Sequence, residues 1–159
     1  MGVHQRQLGV FYNNDTLKCC NPLFFAEMAR NLILGLNQYT HSAAVCVLDT
    51  NGKKARFIEY AVRQLGVANV CVEQCRIEQY HPPDKFTTIV SRAFSSLEAF
   101  ARVSQPLLRT EGCLLAMKGK LPKEEIEALN KAQWGVSSQP VDVPGLDAER
   151  HMVMLGPLG

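Results

Sequence analysis

The stretch "AAVCVLDTNGKKARFIEYAVRQLG", residues 43–66, decides the fold. Its first six residues are a continuous apolar run closed by Asp49, the pattern of a strand covered on both faces. The period then changes. Phe57, Ile58, Ala61, Val62 and Leu65 recur at helical spacing, Glu59 and Arg63 stand four apart for an ion pair, and Gly66 falls where a helix C-cap wants a left-handed residue. A buried strand that turns through polar residues straight into an amphipathic helix is the first half of a β-α-β unit.

The downstream text repeats the theme. "NVCVEQC" (69–75) and "FTTIVSR" (86–92) read as strands, with "RIEQYHPPDK" between them as a loop or short helix stopped by Pro82 and Pro83. Ser95 and Glu98 read as a capping box for a helix from Ser96 to about Leu108. "GCLLAMKG" (112–119) is a fourth buried strand. "LPKEEIEALNK" starts a helix at Pro122, with acids in its first turn and Lys131 in its last. Two strands around 135–143 and 151–155 close the chain as a hairpin joined by "PGLDAER". This order is that of an open α/β sheet with helices on both faces. Upstream, residues 1–42 form an atypical amino-terminal segment in which "LFFAEMARNLILGL" (23–36) predicts a helix after Pro22; residues 43–159 form the α/β part.

Composition bounds the function. At 159 residues and 47% hydrophobic content the chain can bury the core of one domain. Seventeen basic against fifteen acidic residues give a net charge of +2, too little to designate a nucleic-acid binder on charge alone. Six cysteines without a C-x-x-C pair read as buried free thiols of a reducing cytosol. No apolar run reaches the roughly 18 residues of a membrane span, so the expectation is a cytoplasmic protein without membrane contact. His4, His41, His81 and His151 are scattered without carboxylates at ligand spacing, so no metal is expected. There is no G-x-S-x-G elbow, P-loop or G-x-G-x-x-G motif.

Open parallel sheets bind ligands outside the carboxyl ends of their strands, so the residues that follow each apolar run are the candidates. Asp49 is either an acceptor for a ribose diol or the opener of the "DTNG" turn. Arg92, directly after a strand, can hold a carboxylate or phosphate with its fork, or pair on the surface with Glu98 or Glu78. Lys118 in "MKGK" is a phosphate contact or a solvated turn. Lys53, Lys54 and Arg56, off the apolar stripe of the first helix, are a solvated face or a set of RNA phosphate contacts.

The segments "VLDTNGKKARFI", "CRIEQY", "IVSRAFSSLEAF", "LLAMKGKLPKEEI" and "VPGLDAERHMVML", in this order and spacing, resemble the small-subunit ribosomal RNA methyltransferase G family, also called glucose-inhibited division protein B. The likeness runs from about residue 43 to residue 155. It implies a Rossmann-like class I methyltransferase sheet that uses S-adenosylmethionine to methylate N7 of a guanine in 16S ribosomal RNA. Its partner would be that RNA or the small ribosomal subunit, with the enzyme a monomer. By the same resemblance Asp49 would hold the cofactor ribose, Ile77 and Glu78 would frame the adenine, and Arg92 would reach the cofactor or the target base. Lys53, Lys54, Arg56 and Lys118 would contact RNA. No general base is expected, because guanine N7 carries a lone pair and no proton.

The family also carries, upstream of the segment matching 43–49, a first strand and a glycine-rich loop. Residues 1–42 contain only Gly2, Gly9 and Gly35, so the expectation is an incomplete sheet lacking both its central strand and that loop. The rival reading is a non-catalytic remnant, an RNA-binding α/β fragment that keeps "GKKAR" and "MKGK".

Overall fold

A computed structural model describes residues 7–12, 44–92, 94–129, 134–142 and 147–157; of Gln7–Tyr12 and Pro157 it describes the backbone. The helix expected at 23–36 lies outside the described residues, as do Cys19 and Cys20. Seven strands form one sheet: β1 (Gln7–Tyr12), β2 (Ala44–Asp49), β3 (Val70–Glu73), β4 (Phe86–Arg92), β5 (Leu108–Lys118), β6 (Trp134–Pro140) and β7 (His151–Pro157). Their order across the sheet is β3-β2-β1-β4-β5-β7-β6. The first five in that order run parallel, while β7 is antiparallel to both β5 and β6.

One expectation is corrected here: the central strand is present. Gln7–Tyr12, "QLGVFY", lies between β2 and β4 and pairs with both, from Gln7 opposite Ala44 to Tyr12 opposite Asp49 on one side and Arg92 on the other. Strands that flank a gap would leave two rows of unpaired amides and carbonyls at the middle of the sheet, which is why an apolar six-residue segment is recruited there. The glycine-rich loop has no such substitute, since no glycine occurs in residues 13–25, directly after β1.

Helices cover both faces, as the alternation of buried sets along β2 requires. Val45 and Val47 pack with Ile58 and Val67 beneath helix α1 (Gly52–Gln64). Cys46 and Leu48, on the other face, join Ile89, Leu97, Phe100, Leu114 and Leu155 beneath helix α2 (Leu97–Ser104). Ile58 and Phe100 are fully buried, and removal of either side chain to the β-carbon costs about 2–5 kcal/mol. Gly66 takes φ 63° at the end of α1, where an amino acid with a β-carbon would be strained.

Local rules fixed the element ends with small displacements. The cap of α2 is Ser96, whose Oγ accepts from Ala99 N at 3.1 Å, rather than the Ser95–Glu98 box. That helix ends at Ser104 because Pro106 follows, and a short 3-10 turn (Gln105–Leu107) leads into β5. Helix α3 (Lys123–Ala128) is one residue beyond Pro122 and only six residues long; Lys131 lies outside the described residues. Of the cysteines among the described residues all are free, but only Cys46 is buried; Cys71 is exposed and Cys75 and Cys113 are half-buried.

Ser104 is fully buried and its hydroxyl has no hydrogen-bond partner among the described residues. An unsatisfied buried hydroxyl carries a desolvation penalty with no return, so Ser104→Ala is expected to raise stability by about 1 kcal/mol. Equilibrium urea denaturation checks this; a loss of stability would mean that the hydroxyl has a partner in solution.

Candidate nucleotide site at the carboxyl rim

The sheet turns its winding direction at β1. From there the chain proceeds outward through β2 and β3 on one side and through β4 and β5 on the other, so β1 and β4 border the topological switch point where open α/β sheets bind ligands. The register puts Asp49, Tyr12, Arg92 and Met117 in one row at the carboxyl ends of β2, β1, β4 and β5. Asp49 and Arg92 thus lie on the same rim, two strand spacings or about 10 Å apart.

Asp49 is 1% exposed. Its Oδ1 accepts from Asn51 N at 2.7 Å, which closes the turn after β2. Asn51 in turn caps α1, its Oδ1 accepting from Lys53 N at 3.0 Å and from Lys54 N at 3.3 Å. The sequence "DTNGKK" is therefore a relay of two side chains that stops a strand and starts a helix. The second oxygen, Oδ2, is buried and has no hydrogen-bond partner among the described residues. The two readings of Asp49 consequently divide between its two oxygens: Oδ1 makes the turn, and Oδ2 is left as an acceptor without a donor. Burial pushes the carboxyl's pKa above its ordinary value, opposed by the Asn51 amide and by the charge of Lys54.

Beyond β3 the chain makes a 3-10 turn, Ile77–Gln79. Ile77 and Tyr80 pack against the larger core cluster, and Tyr80 stacks on Phe86 with ring centroids 6.3 Å apart. Glu78 is exposed at the same turn. Arg92 is half-buried at the end of β4; the loop after it is held down by Phe94, tilted against Phe100 at 5.2 Å. At the head of α1, Lys53 and Arg56 are exposed and Lys54 is half-buried.

Lys118 is held differently from the exposed phosphate contact or solvated turn that the sequence suggested. Its ammonium donates to both carboxylate oxygens of Glu125, at 3.0 and 2.8 Å, and its side chain is 14% exposed. Glu125 Oε2 also accepts from Leu97 N, at the first turn of α2, at 2.7 Å. One carboxylate from α3 thereby ties the end of β5 to the head of α2 and satisfies an amide that the helix leaves open. Sequence reasoning missed Glu125, which it treated as one of several first-turn acids, and it missed Asn51 as a cap, although the "D-x-N-G" pattern carries that signal.

The GidB family, described as rRNA small subunit methyltransferase G, matches residues 32–153. The chain belongs to this family. Among its relatives, Ribosomal RNA small subunit methyltransferase G of Chromobacterium violaceum is 45% identical over 111 residues, 70% of this chain and 53% of that protein. The protein of the same name from Nitrosococcus oceani is 42% identical over 111 residues, 70% of this chain and 52% of its own length. The chain spans about half the length of the curated relatives it matches. Among solved structures, an rRNA methylase from Streptococcus thermophilus superposes with a TM-score of 0.61 at 15% identity, covering 98% of this chain and 89% of that one. A predicted O-methyltransferase from Agrobacterium tumefaciens gives 0.68 at 14% identity, covering 96% and 74%. The fold is accordingly the Rossmann-like sheet of class I methyltransferases, and β1 completes it from residues outside the matched range 32–153.

Because burial raises the Asp49 pKa, the folded chain holds that proton more tightly than the unfolded chain does, and the stability this gives is full below the ordinary value of 3.8 and is lost as pH rises through the folded value. Asp49→Asn is expected to remove that loss: the variant should gain on the order of 1 kcal/mol over the native chain at neutral pH, the gain shrinking to nothing in acid. Paired urea titrations at several pH values measure the difference, and a variant less stable at neutral pH would contradict it.

Proposed function

We propose that the chain carries the nucleoside-binding half of an S-adenosylmethionine-dependent methyltransferase site for guanine N7 of 16S ribosomal RNA. The observation that supports this most directly is Asp49 Oδ2, a buried acceptor with no donor among the described residues, on the carboxyl rim beside the switch point. A ribose diol supplies two hydroxyl donors to such an oxygen. Bonds of that kind also favour the ionised carboxylate, which burial alone opposes. Ile77 gives an apolar edge for the adenine, Glu78 an acceptor for its exocyclic amine, and Arg92 a fork on the opposite side of Tyr12 for the cofactor's carboxylate or the target base.

When bound, the cofactor supplies an activated methyl group on sulfur. The chain's own work is then to orient, since guanine N7 attacks through a lone pair and sheds no proton. This agrees with a rim that offers one acceptor and one guanidinium and needs no general base. Lys53 and Arg56, exposed beside Asp49 at the head of α1, and Lys54 next to them are in position to meet RNA phosphates. Lys118, already paired to Glu125, would shape the rim rather than touch RNA. The setting would be cytoplasmic, with a monomer acting on ribosomal RNA or the small subunit.

The residues fit the two halves of the cofactor unequally. Glycines after the first strand let a backbone approach the methionine moiety, and residues 13–25 contain none. This favours a second reading for the same site, a remnant that binds the nucleoside and RNA without turning over.

Calorimetry distinguishes the readings. 5′-Methylthioadenosine, which lacks the amino-acid portion, should bind within about threefold of S-adenosylhomocysteine if only the nucleoside half is held, since a threefold difference is worth well under 1 kcal/mol. A far tighter homocysteine derivative would restore the complete site, and silence from both ligands would remove the proposal. Asp49→Ala should weaken nucleoside binding about 10- to 100-fold, the value of about 1.5–3 kcal/mol of charge-assisted hydrogen bonding. For RNA, replacing Lys53 and Arg56 together by alanine should flatten the slope of log affinity against log salt by about 1.4, roughly 0.7 for each lost phosphate contact on a single strand. Lys118→Ala should leave that slope unchanged.

A further inference from the structure

Cys46 and Cys71 are partners across the β2–β3 pair. Residues opposite one another on adjacent strands point to the same face and sit about 4.8 Å apart, inside the window of about 4.4–6.8 Å between α-carbons that a disulfide accepts. The two thiols are close enough to shift each other's ionisation, Cys46 upward and Cys71 downward. Their environments are unequal. Cys46 is 4% exposed and its sulfur lies 3.1 Å from the Tyr80 hydroxyl. Cys71 is exposed on β3, the strand at the edge of the sheet, where a small oxidant can reach it.

The proton assignments follow from these positions. The hydrogen bond from Cys46 lowers the Cys71 thiol to about 7, against the opposing effects of partial burial and of Glu73. Cys46 is pushed up, first by that same bond and then by its burial, so it keeps its proton and donates it to the Cys71 thiolate. Tyr80 is pushed up as well, by burial and by its bond to Cys46. The other titratable group nearby, Cys75, is pushed up by burial and by Glu73 and stays protonated. A reactive thiolate at the surface with a protonated resolving thiol behind it is the arrangement of an oxidation-sensitive pair.

We propose that Cys46 and Cys71 are a cross-strand dithiol that hydrogen peroxide oxidises to a disulfide. In the first step the Cys71 thiolate attacks one peroxide oxygen, the O–O bond breaks, an S–O bond forms, and the departing hydroxide takes up a proton as water. In the second, the Cys46 sulfur attacks the Cys71 sulfur, the S–S bond forms, and the hydroxyl leaves with the Cys46 proton as a second water. Two thiols lose two electrons and one molecule of hydrogen peroxide gains them. The bridge ties β2 to the edge strand three residues below Asp49, and it takes the Cys46 thiol from Tyr80, the residue that closes the 3-10 turn of Ile77 and Glu78. On the reading of that turn as the adenine frame, oxidation changes nucleoside affinity.

The test treats the full chain with a small excess of hydrogen peroxide, blocks remaining thiols with iodoacetamide, and maps peptides by mass spectrometry. The expected product is one peptide pair joining Cys46 to Cys71, about 2 Da lighter than the two reduced peptides together. Cys46→Ser should leave Cys71 as a sulfenic acid that dimedone traps, and Cys71→Ser should leave Cys46 reduced and alkylated only after unfolding. A bridge from Cys71 to any other cysteine, a sulfinic acid at Cys71 with Cys46 intact, or no reaction of Cys71 would each overturn the proposal in the native chain, without reliance on the variants. Methylthioadenosine titration of reduced and oxidised protein reads the coupling separately. Bridge formation with equal affinities removes the link to the adenine turn alone, and absence of binding in both forms counts against the nucleoside site rather than against the dithiol.

Discussion

The sheet depends on backbone pairing at its centre. β2 and β4 are both buried, and each has one edge facing the middle of the sheet; neither edge can be left without partners, because buried amides and carbonyls lose several kcal/mol when water is removed and nothing replaces it. Gln7–Tyr12 answers that demand on both sides at once. It also sets the spacing of the site. With β1 in place, Asp49 and Arg92 are two strand spacings apart in one row; with β2 paired directly to β4 they would be neighbours about 4.8 Å apart.

The position of β1 in the chain bears on the relation to the family. The family match begins at residue 32, and the central strand lies before it. The central slot is thus filled from outside the matched range, while residues 13–25, next in the chain, contain no glycine. Strand pairing asks only for apolar residues of β propensity and a register, and many sequences satisfy it. The glycine-rich turn demands backbone freedom and close approach at particular positions, which few sequences satisfy. The two features need not travel together, and this chain has one of them.

How much of this could be read from residues follows from the range of the interactions. β2 and α1 were legible because the change from a continuous apolar run to a helical period happens within a few residues and ends at a glycine. The last hairpin was legible for the same reason, and the ends of its observed strands differ from the expected ones by up to three residues. β1 was not. Six residues without a neighbouring helix or turn signal have no period to measure, although "LGVFY" is as apolar as the other strands. The site divides along the same line. That Asp49 ends a strand was local information; that its Oδ2 is buried with no donor among the described residues depends on how elements distant in sequence come together. Lys118 and Glu125 are seven apart across a proline, and their pairing with Leu97 N joins three elements that no local pattern relates.

Asp49 shows why such sites are legible mainly through their departures from good folding. A chain selected for stability alone would place a neutral, fully bonded residue at this position, since half of the Asp49 carboxylate does what Asn51 requires and the other half is an uncompensated acceptor at 1% exposure. Ser91 is a second case on the adjoining side of the rim, 2% exposed with its hydroxyl unpartnered among the described residues, one position before Arg92. These two oxygens, without partners among the described residues, are difficult to account for by packing, because Asn at 49 would keep the turn bond of Oδ1 and Ala at 91 would remove the hydroxyl, each relieving a buried charge or polar atom. The register puts Ser91 in the row of Leu48, on the face opposite Asp49, so the two are separate departures; the one at Asp49 is accounted for if a group with hydroxyl or amine donors meets Oδ2 at the rim, and in that case the energy withheld from folding is returned on binding.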